Sequence, residues 1–264
     1  MQIGIFTRTF PRPTLSEILE TVVAHGLSSV QFGFDDIGLA EMPDQLDPAI
    51  CDTIRQEFAA QGVHMAALSG TWNMIHPDLA ERQAGVRRLG VLAANCARLG
   101  TNVITLCTGT RNASSMWRPH PDNQSADAWH DLTATMAQAL PLAEAHNVIL
   151  GVEPEVSNVI DSAERARRLL DEMKSPNLKI VMDGANLFHH GELPRMSEIL
   201  DRAFELLGDD IIIAHAKDLV RDGEAGNVAA GTGLLDYERY LQLLDATGRD
   251  LPILLHSLSE QQAK

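Results

Sequence analysis

Four short apolar runs in the second half of the chain each end on a group able to hold a metal or move a proton. They are Leu150-Gly151-Val152-Glu153, Ile180-Val181-Met182-Asp183, Ile213-Ala214-His215 and Leu254-Leu255-His256. The terminal residues lie 30, 32 and 41 positions apart, so only a closed fold brings all four together. Converged, they make a site of two carboxylates and two imidazoles. Mixed oxygen and nitrogen donors suit Mn²⁺, Co²⁺, Fe²⁺, Zn²⁺ or Mg²⁺ and exclude a soft thiolate centre. Singly, each residue has a plainer explanation: a carboxylate after a strand often caps a helix, and a histidine often just makes a hydrogen bond. Their repetition on four successive runs is what points to one metal site.

The elements that would position these groups follow from apolar periodicity. Short, nearly continuous apolar runs at 2–6, 29–34, 63–68, 102–107, 148–153, 178–183, 210–215 and 251–256 read as strands buried on both faces. Amphipathic stretches at about 14–25, 48–61, 80–99, 126–146, 161–173, 194–207 and 236–247 read as helices. Gly26, Gly62, Gly100, Asn147 and Gly248 close five of them, the residue types that suit a left-handed helix terminus. Thr14-Leu15-Ser16-Glu17 reads as a capping box, and Ser125 and Asp161 as N-caps. Strict alternation predicts a parallel sheet with right-handed crossovers. Eight units of this length predict a single (β/α)₈ TIM barrel over residues 1–264, with an open doubly wound sheet as the structural rival. Little chain follows the eighth run, so an eighth helix is short or truncated. The longest non-periodic stretches, 35–47, 108–125 and 216–233, each follow a strand and so share the rim that carries the four candidate ligands.

Composition narrows the function. The 264 residues carry 21 Lys and Arg against 36 Asp and Glu, a net charge of −15. That balance argues against nucleic acid or an anionic membrane as partner, since phosphate contacts need clustered cations. No apolar run approaches a membrane span and no signal peptide is visible, so a soluble, cytoplasmic protein is expected. The three cysteines, Cys51, Cys96 and Cys107, form neither a disulfide framework nor a zinc ribbon. Neither GxGxxG nor a phosphate-binding loop occurs, so no nucleotide cofactor is expected.

Several segments resemble the xylose isomerase-like TIM-barrel superfamily, and within it the sugar (phosphate) isomerase/epimerase branch. They are Gly151 to Glu155, Val181 to Phe188, Ala214 to Asp218, Leu68 to Asn73 and Gly231 to Tyr237. The resemblance spans nearly the whole chain. It implies one divalent metal, Mn²⁺ first and Mg²⁺, Co²⁺, Fe²⁺ or Zn²⁺ as alternatives, held by Glu153, Asp183, His215 and His256. His256 stands where the family has a second Glu. The family's two glutamates act as acid and base on opposite faces of the substrate, so Glu153 and His256 take the catalytic positions here. Glu155 is a weaker alternative base. Asn186 replaces a family His and, with Arg221, takes a substrate-contacting position. Lys217 or Asp218 supports the site through an ion pair or hydrogen bond.

The resemblance implies proton abstraction by Glu153 next to a metal-bound carbonyl, through an enediolate. The substrate is then a small ketose or keto-cyclitol, and the protein an isomerase or epimerase. A dehydratase-type lyase shares the first step, and the lost second Glu favours it. A non-catalytic sugar-binding barrel and an endonuclease for abasic DNA are further alternatives. The segments Thr108 to Asn112 and Met116 to Pro121 offer Arg111 and Trp117 as substrate contacts, or as a packed loop or oligomer contact. Trp72 and Phe6 read as an apolar pocket wall. His189, beside His190 on the same rim, is a candidate to replace a missing acid or base. Self-association is an expectation by resemblance.

Overall fold

The computed structural model describes residues 1–263. Eight parallel strands close into a barrel in chain order. They are β1 (Gln2–Phe6), β2 (Ser29–Phe32), β3 (His64–Ser69), β4 (Val103–Cys107), β5 (Ile149–Glu153), β6 (Leu178–Asp183), β7 (Ile211–Ala216) and β8 (Pro252–Leu255). Seven α-helices among the described residues cover them. These are α1 (Leu15–Ala24), α2 (Pro48–Gln61), α3 (Leu79–Leu99), α4 (Ala126–Ala145), α5 (Ala163–Met173), α6 (Met196–Leu207) and α7 (Tyr237–Ala246). After β8 the chain makes a single turn, in which Ser259 O accepts from Gln262 N and Ala263 N. No helix among these residues is long and apolar enough to cross a membrane.

All five expected helix closers adopt positive φ: Gly26 75°, Gly62 64°, Gly100 92°, Asn147 54° and Gly248 66°. The capping box forms as expected, with Thr14 Oγ1 accepting from Glu17 N and the Glu17 carboxylate accepting from Thr14 N. Ser125 caps α4, but the cap of α5 is Ser162, not Asp161. The Asp161 carboxylate is taken up instead by the Gln124 side-chain amide. The second strand is also shorter than expected, because Gly33 leads into a tight 3₁₀ turn at Phe34–Ile37.

The core has two parts. Phe6, Ala66, Val181, Ile213 and Leu254 fill the barrel lumen, while the larger cluster lies between strands and helices. β1 packs closely against both its neighbours, β2 and β8. A Cβ on Gly4 would lie 2.4 Å from Ser29 O and 2.7 Å from Leu254 Cδ2, so only glycine fits there.

The long β7–α7 connection hangs on one buried carboxylate. Asp218 Oδ1 accepts from Leu219 N and Leu235 N, and Oδ2 from Gly233 N. Asp218→Ala leaves three backbone donors without this acceptor. A loss of about 2 kcal/mol in urea unfolding is expected, together with faster proteolysis between residues 217 and 236. Unchanged proteolysis would show that the loop is held by other contacts.

Candidate metal centre and active site

The carboxyl ends of β5 to β8 bring the four candidate ligands together. One donor atom from each of Glu153, Asp183, His215 and His256 lies within 4.8 Å of all the others. Their height is set by register. Asp183 pairs directly with His215 across the β6–β7 ladder, after a register shift at Ile180/Val181. His256 continues β8 by donating its backbone N–H to Ala216 O. From outside the barrel, the buried Tyr240 of α7 donates to Met182 O or His215 O, 2.8 and 3.1 Å away, and so ties down both strand ends that carry candidate ligands. Tyr237 Oη likewise donates to Lys217 O.

The electrostatics are those of a buried charged cluster. Asp183 is fully buried, with Lys217 Nζ 3.3 Å and His256 Nε2 3.0 Å from Oδ2. Burial pushes its carboxyl up, but Lys217, His256 and His215 together hold it well below the usual range. Burial likewise raises Glu153, and neighbouring positive charge, that of Lys217 included, outweighs it, so the carboxyl stays ionised. Asn186 Nδ2 donates to Glu153 Oε1 at 2.6 Å. Lys217 is kept protonated by Asp183, Glu153 and Glu155 against the cost of its burial. Glu155 is pushed up to about 6, mainly by burial, although Ser157 N and Asn158 Nδ2 donate to it. His256, stacked on Phe6 at 4.6 Å, is pushed down to about 4 by burial and by Lys217, so its ring is neutral.

This set fits a divalent cation. Hard carboxylates and neutral imidazole are its preferred donors. Among the described residues, His215 Nδ1 is buried with no hydrogen-bond partner, and its 3.3 Å approach to Glu153 Oε2 lacks hydrogen-bond alignment.

The His256 shift has a consequence for metal-free protein. An unfolded-state imidazole takes up a proton near pH 6.5 and the folded one only near 4. Between these values the unfolded chain binds more protons, so this residue makes stability fall as pH falls. The slope is at most about 1.4 kcal/mol per pH unit. Glu155 acts oppositely, its raised folded value favouring the native state below about pH 6. The His256→Gln variant isolates the imidazole, because Glu155 is common to both proteins. Its stability relative to wild type is expected to improve as pH drops from 6.5 to 4, measured by urea midpoints in EDTA. A pH-independent difference would contradict a neutral buried His256.

The cluster floors a cavity of about 350 Å³. Of the residues named from sequence as site candidates, Glu153, Glu155, Asn186, His215, Lys217, His256, Phe6 and Trp117 line it. Asp183 lies beneath them. Trp72 packs against α3 at Gly85 and faces a neighbouring cleft. Arg111 pairs with Asp131 at 2.7 Å and donates to Ile75 O, and Arg221 pairs with Glu224 at 2.6 Å. His189 sits 3.7 Å from Asp161 on the outer side of the rim. The cavity also receives Arg8, Gln31, Glu41, Ser69 and Thr105, which sequence reading did not single out. Gln31 carried one signal, a polar residue inside the apolar run Val30-Gln31-Phe32. Cys107 lines the cavity too, but burial and the carboxylates Glu153 and Glu155 push its thiol well up, so it stays protonated. A larger outer groove of about 1070 Å³ runs along α5, α6 and α7. Its cations Arg195, Arg202 and Arg239 are all ion-paired.

Fold and site define a (β/α)₈ barrel with a candidate metal centre at the carboxyl ends of its strands. Residues 19–263 match the family described as the xylose isomerase-like TIM barrel, and the chain belongs to that family. Among solved structures it is similar to a D-tagatose 3-epimerase-like protein, with TM-score 0.76 and 16% identity over 100% of this chain and 93% of the other. The IOLI protein, solved with a bound zinc atom, gives TM-score 0.73 at 15% identity over 100% and 94% of the two chains. The probable 3-DHS dehydratase AsbF of Bacillus anthracis, involved in petrobactin synthesis, gives 0.72 at 16% over 97% and 92%. These likenesses establish the shared fold. No curated protein matches the chain in sequence.

Proposed function

We propose that the protein is a divalent-metal-dependent isomerase or epimerase acting on a small ketose or keto-cyclitol. The convergence of Glu153, Asp183, His215 and His256 on the floor of one cavity carries this reading. Those four residues would hold the metal, with Mn²⁺ first among the candidates. When bound, a divalent cation there polarises a substrate carbonyl. The cavity's size suits a small polyol, and its mixed donors and acceptors suit hydroxyl groups. Asn186, Trp117 and Phe6 line the cavity and would contact the polyol.

Glu153 is the base. It stays ionised in the buried cluster, and its Oε1 is oriented by Asn186. It takes the proton from the carbon beside the carbonyl and returns it to the adjacent carbon, which is isomerisation; epimerisation needs a second group to deliver a proton from the opposite face. His256 occupies the second catalytic position but is a poor base, since its ring is pushed down to about 4. The two faces of a bound substrate therefore meet unequal proton acceptors, which favours proton return by Glu153 itself. The same asymmetry supports a second reading, a dehydratase. There Glu155, pushed up to about 6, is the carboxyl able to protonate a departing hydroxyl.

The test is deuterium wash-in by NMR. Metal-loaded protein is incubated in D₂O with a panel of ketoses and keto-cyclitols, and the metal is removed before spectra are taken. Exchange beside a carbonyl is expected, and the products separate isomerase, epimerase and dehydratase. No exchange across the panel by protein shown to bind metal would overturn the reading in favour of a binding barrel.

A further inference from the structure

The ligand strands form only half of the barrel mouth. The other half presents a neutral polar layer made of Gln31 on β2, Ser69 on β3 and Thr105 on β4. All three are buried. Gln31 is their hub. Its Nε2 donates to Ser69 Oγ at 3.0 Å and to Thr105 Oγ1 at 2.9 Å, which uses both amide hydrogens. Its Oε1 is thereby turned toward His215 and lies 3.0 Å from His215 Nε2. The strand ladder is also irregular here. The β2–β3 register shifts between Val30 and Gln31, so Val30 faces Met65 and Gln31 faces Ala67. A shift of this kind re-aims the side chain that follows it.

We propose that Gln31 is a positioning residue that fixes His215 as the tautomer protonated on Nε2. An amide oxygen can only accept, so Nε2 must carry the hydrogen. The neutral ring then has its lone pair on Nδ1. That atom is buried, without a hydrogen-bond partner, and faces Glu153 Oε2 at 3.3 Å. Gln31 thus keeps the donor lone pair directed into the cluster before any cation arrives. Ser69 and Thr105 act one step further out, by holding the amide in the orientation that presents oxygen to the ring. Here an amide does what a carboxylate or backbone carbonyl commonly does behind a metal-binding histidine. Unlike a carboxylate, it adds no charge to a cluster that already holds Glu153, Asp183 and Glu155. This inference rests on the proposal that the four residues hold a metal.

The primary test needs no variant. Long-range ¹H–¹⁵N correlation of histidine-labelled, metal-free protein is recorded at a pH where imidazole is neutral. The expected result is hydrogen on Nε2 of His215, and hydrogen on Nδ1 would overturn the proposal. The variants supply a second readout, Mn²⁺ affinity by calorimetry. Gln31→Leu removes the acceptor, and a 10- to 100-fold weaker affinity is expected with loss of the single tautomer. Gln31→Glu retains an acceptor and is expected to retain the tautomer even if its affinity differs, which separates positioning from packing. Should Gln31→Leu not fold, the wild-type tautomer and Gln31→Glu still decide. Unchanged affinity in a folded Gln31→Leu protein would overturn the proposal. Wild-type protein that binds no cation would instead overturn the metal-site reading beneath it.

Discussion

Glu153→Gln is expected to slow deuterium wash-in by 10²- to 10⁴-fold, the usual contribution of a general base, while the barrel stays folded. The environment explains why the two effects separate. Asn186 Nδ2 donates to Glu153 Oε1, and a glutamine oxygen accepts that bond equally well. The new amide nitrogen then faces His215 Nδ1, a buried atom with no partner in the wild-type cluster. The substitution therefore satisfies an orphaned acceptor while removing the proton carrier. The melting temperature of metal-free protein should stay within about 4 °C of wild type. Cation affinity should fall, because the amide is a weaker donor than the carboxylate and occupies the histidine lone pair. Wash-in at the wild-type rate would remove Glu153 from the proton path.

The largest effect on stability is expected from Lys217→Met. Lys217 Nζ lies 3.3 Å from Asp183 Oδ2, with Lys217 nearly and Asp183 fully buried. Its charge also acts on Glu153 and Glu155. Removing it leaves buried carboxylates facing one another, at a cost of about 3–5 kcal/mol in metal-free protein. A divalent cation replaces the lost charge, so the deficit should shrink as cation is added, following its mass-action contribution to stability. The double variant Asp183→Asn/Lys217→Met should recover much of the loss in EDTA, since it removes both members of the pair. Urea unfolding with EDTA and with Mn²⁺ checks all three points. A deficit that ignores added cation would mean that Lys217 does not share the cluster's electrostatics.

Much of this site was legible before the fold was seen. Each ligand strand is an uninterrupted apolar run closed by one polar residue, and a parallel barrel buries both faces of such a run. The side chain at the end of the run must then sit at the mouth, which is why Glu153, Asp183 and His215 met as expected. Gln31 was hidden because it sits inside an apolar run, with no spacing pattern to mark it. Arg111 and Arg221 show a different gap. Both lie on rim loops, but whether a cation reaches a cavity depends on the nearest carboxylate. Asp131 and Glu224 satisfy them first. Asp161 and Ser162 are both good capping residues, and their order was decided by the position of Gln124, 37 residues upstream of Asp161.

The seam strand β8 has only four residues, and His256 is the first residue beyond it. Short terminal strands open more often than central ones, with free energies well below that of global unfolding. Each such opening would swing His256 away and leave a bound cation with three protein donors. The residence time of the metal would then follow the fraying rate of the β1–β8 seam, and amide exchange at Ile253 and Leu255 would track it. Substitutions at Gly4, on the seam but outside the donor cluster, would shorten that residence time without altering a single ligand.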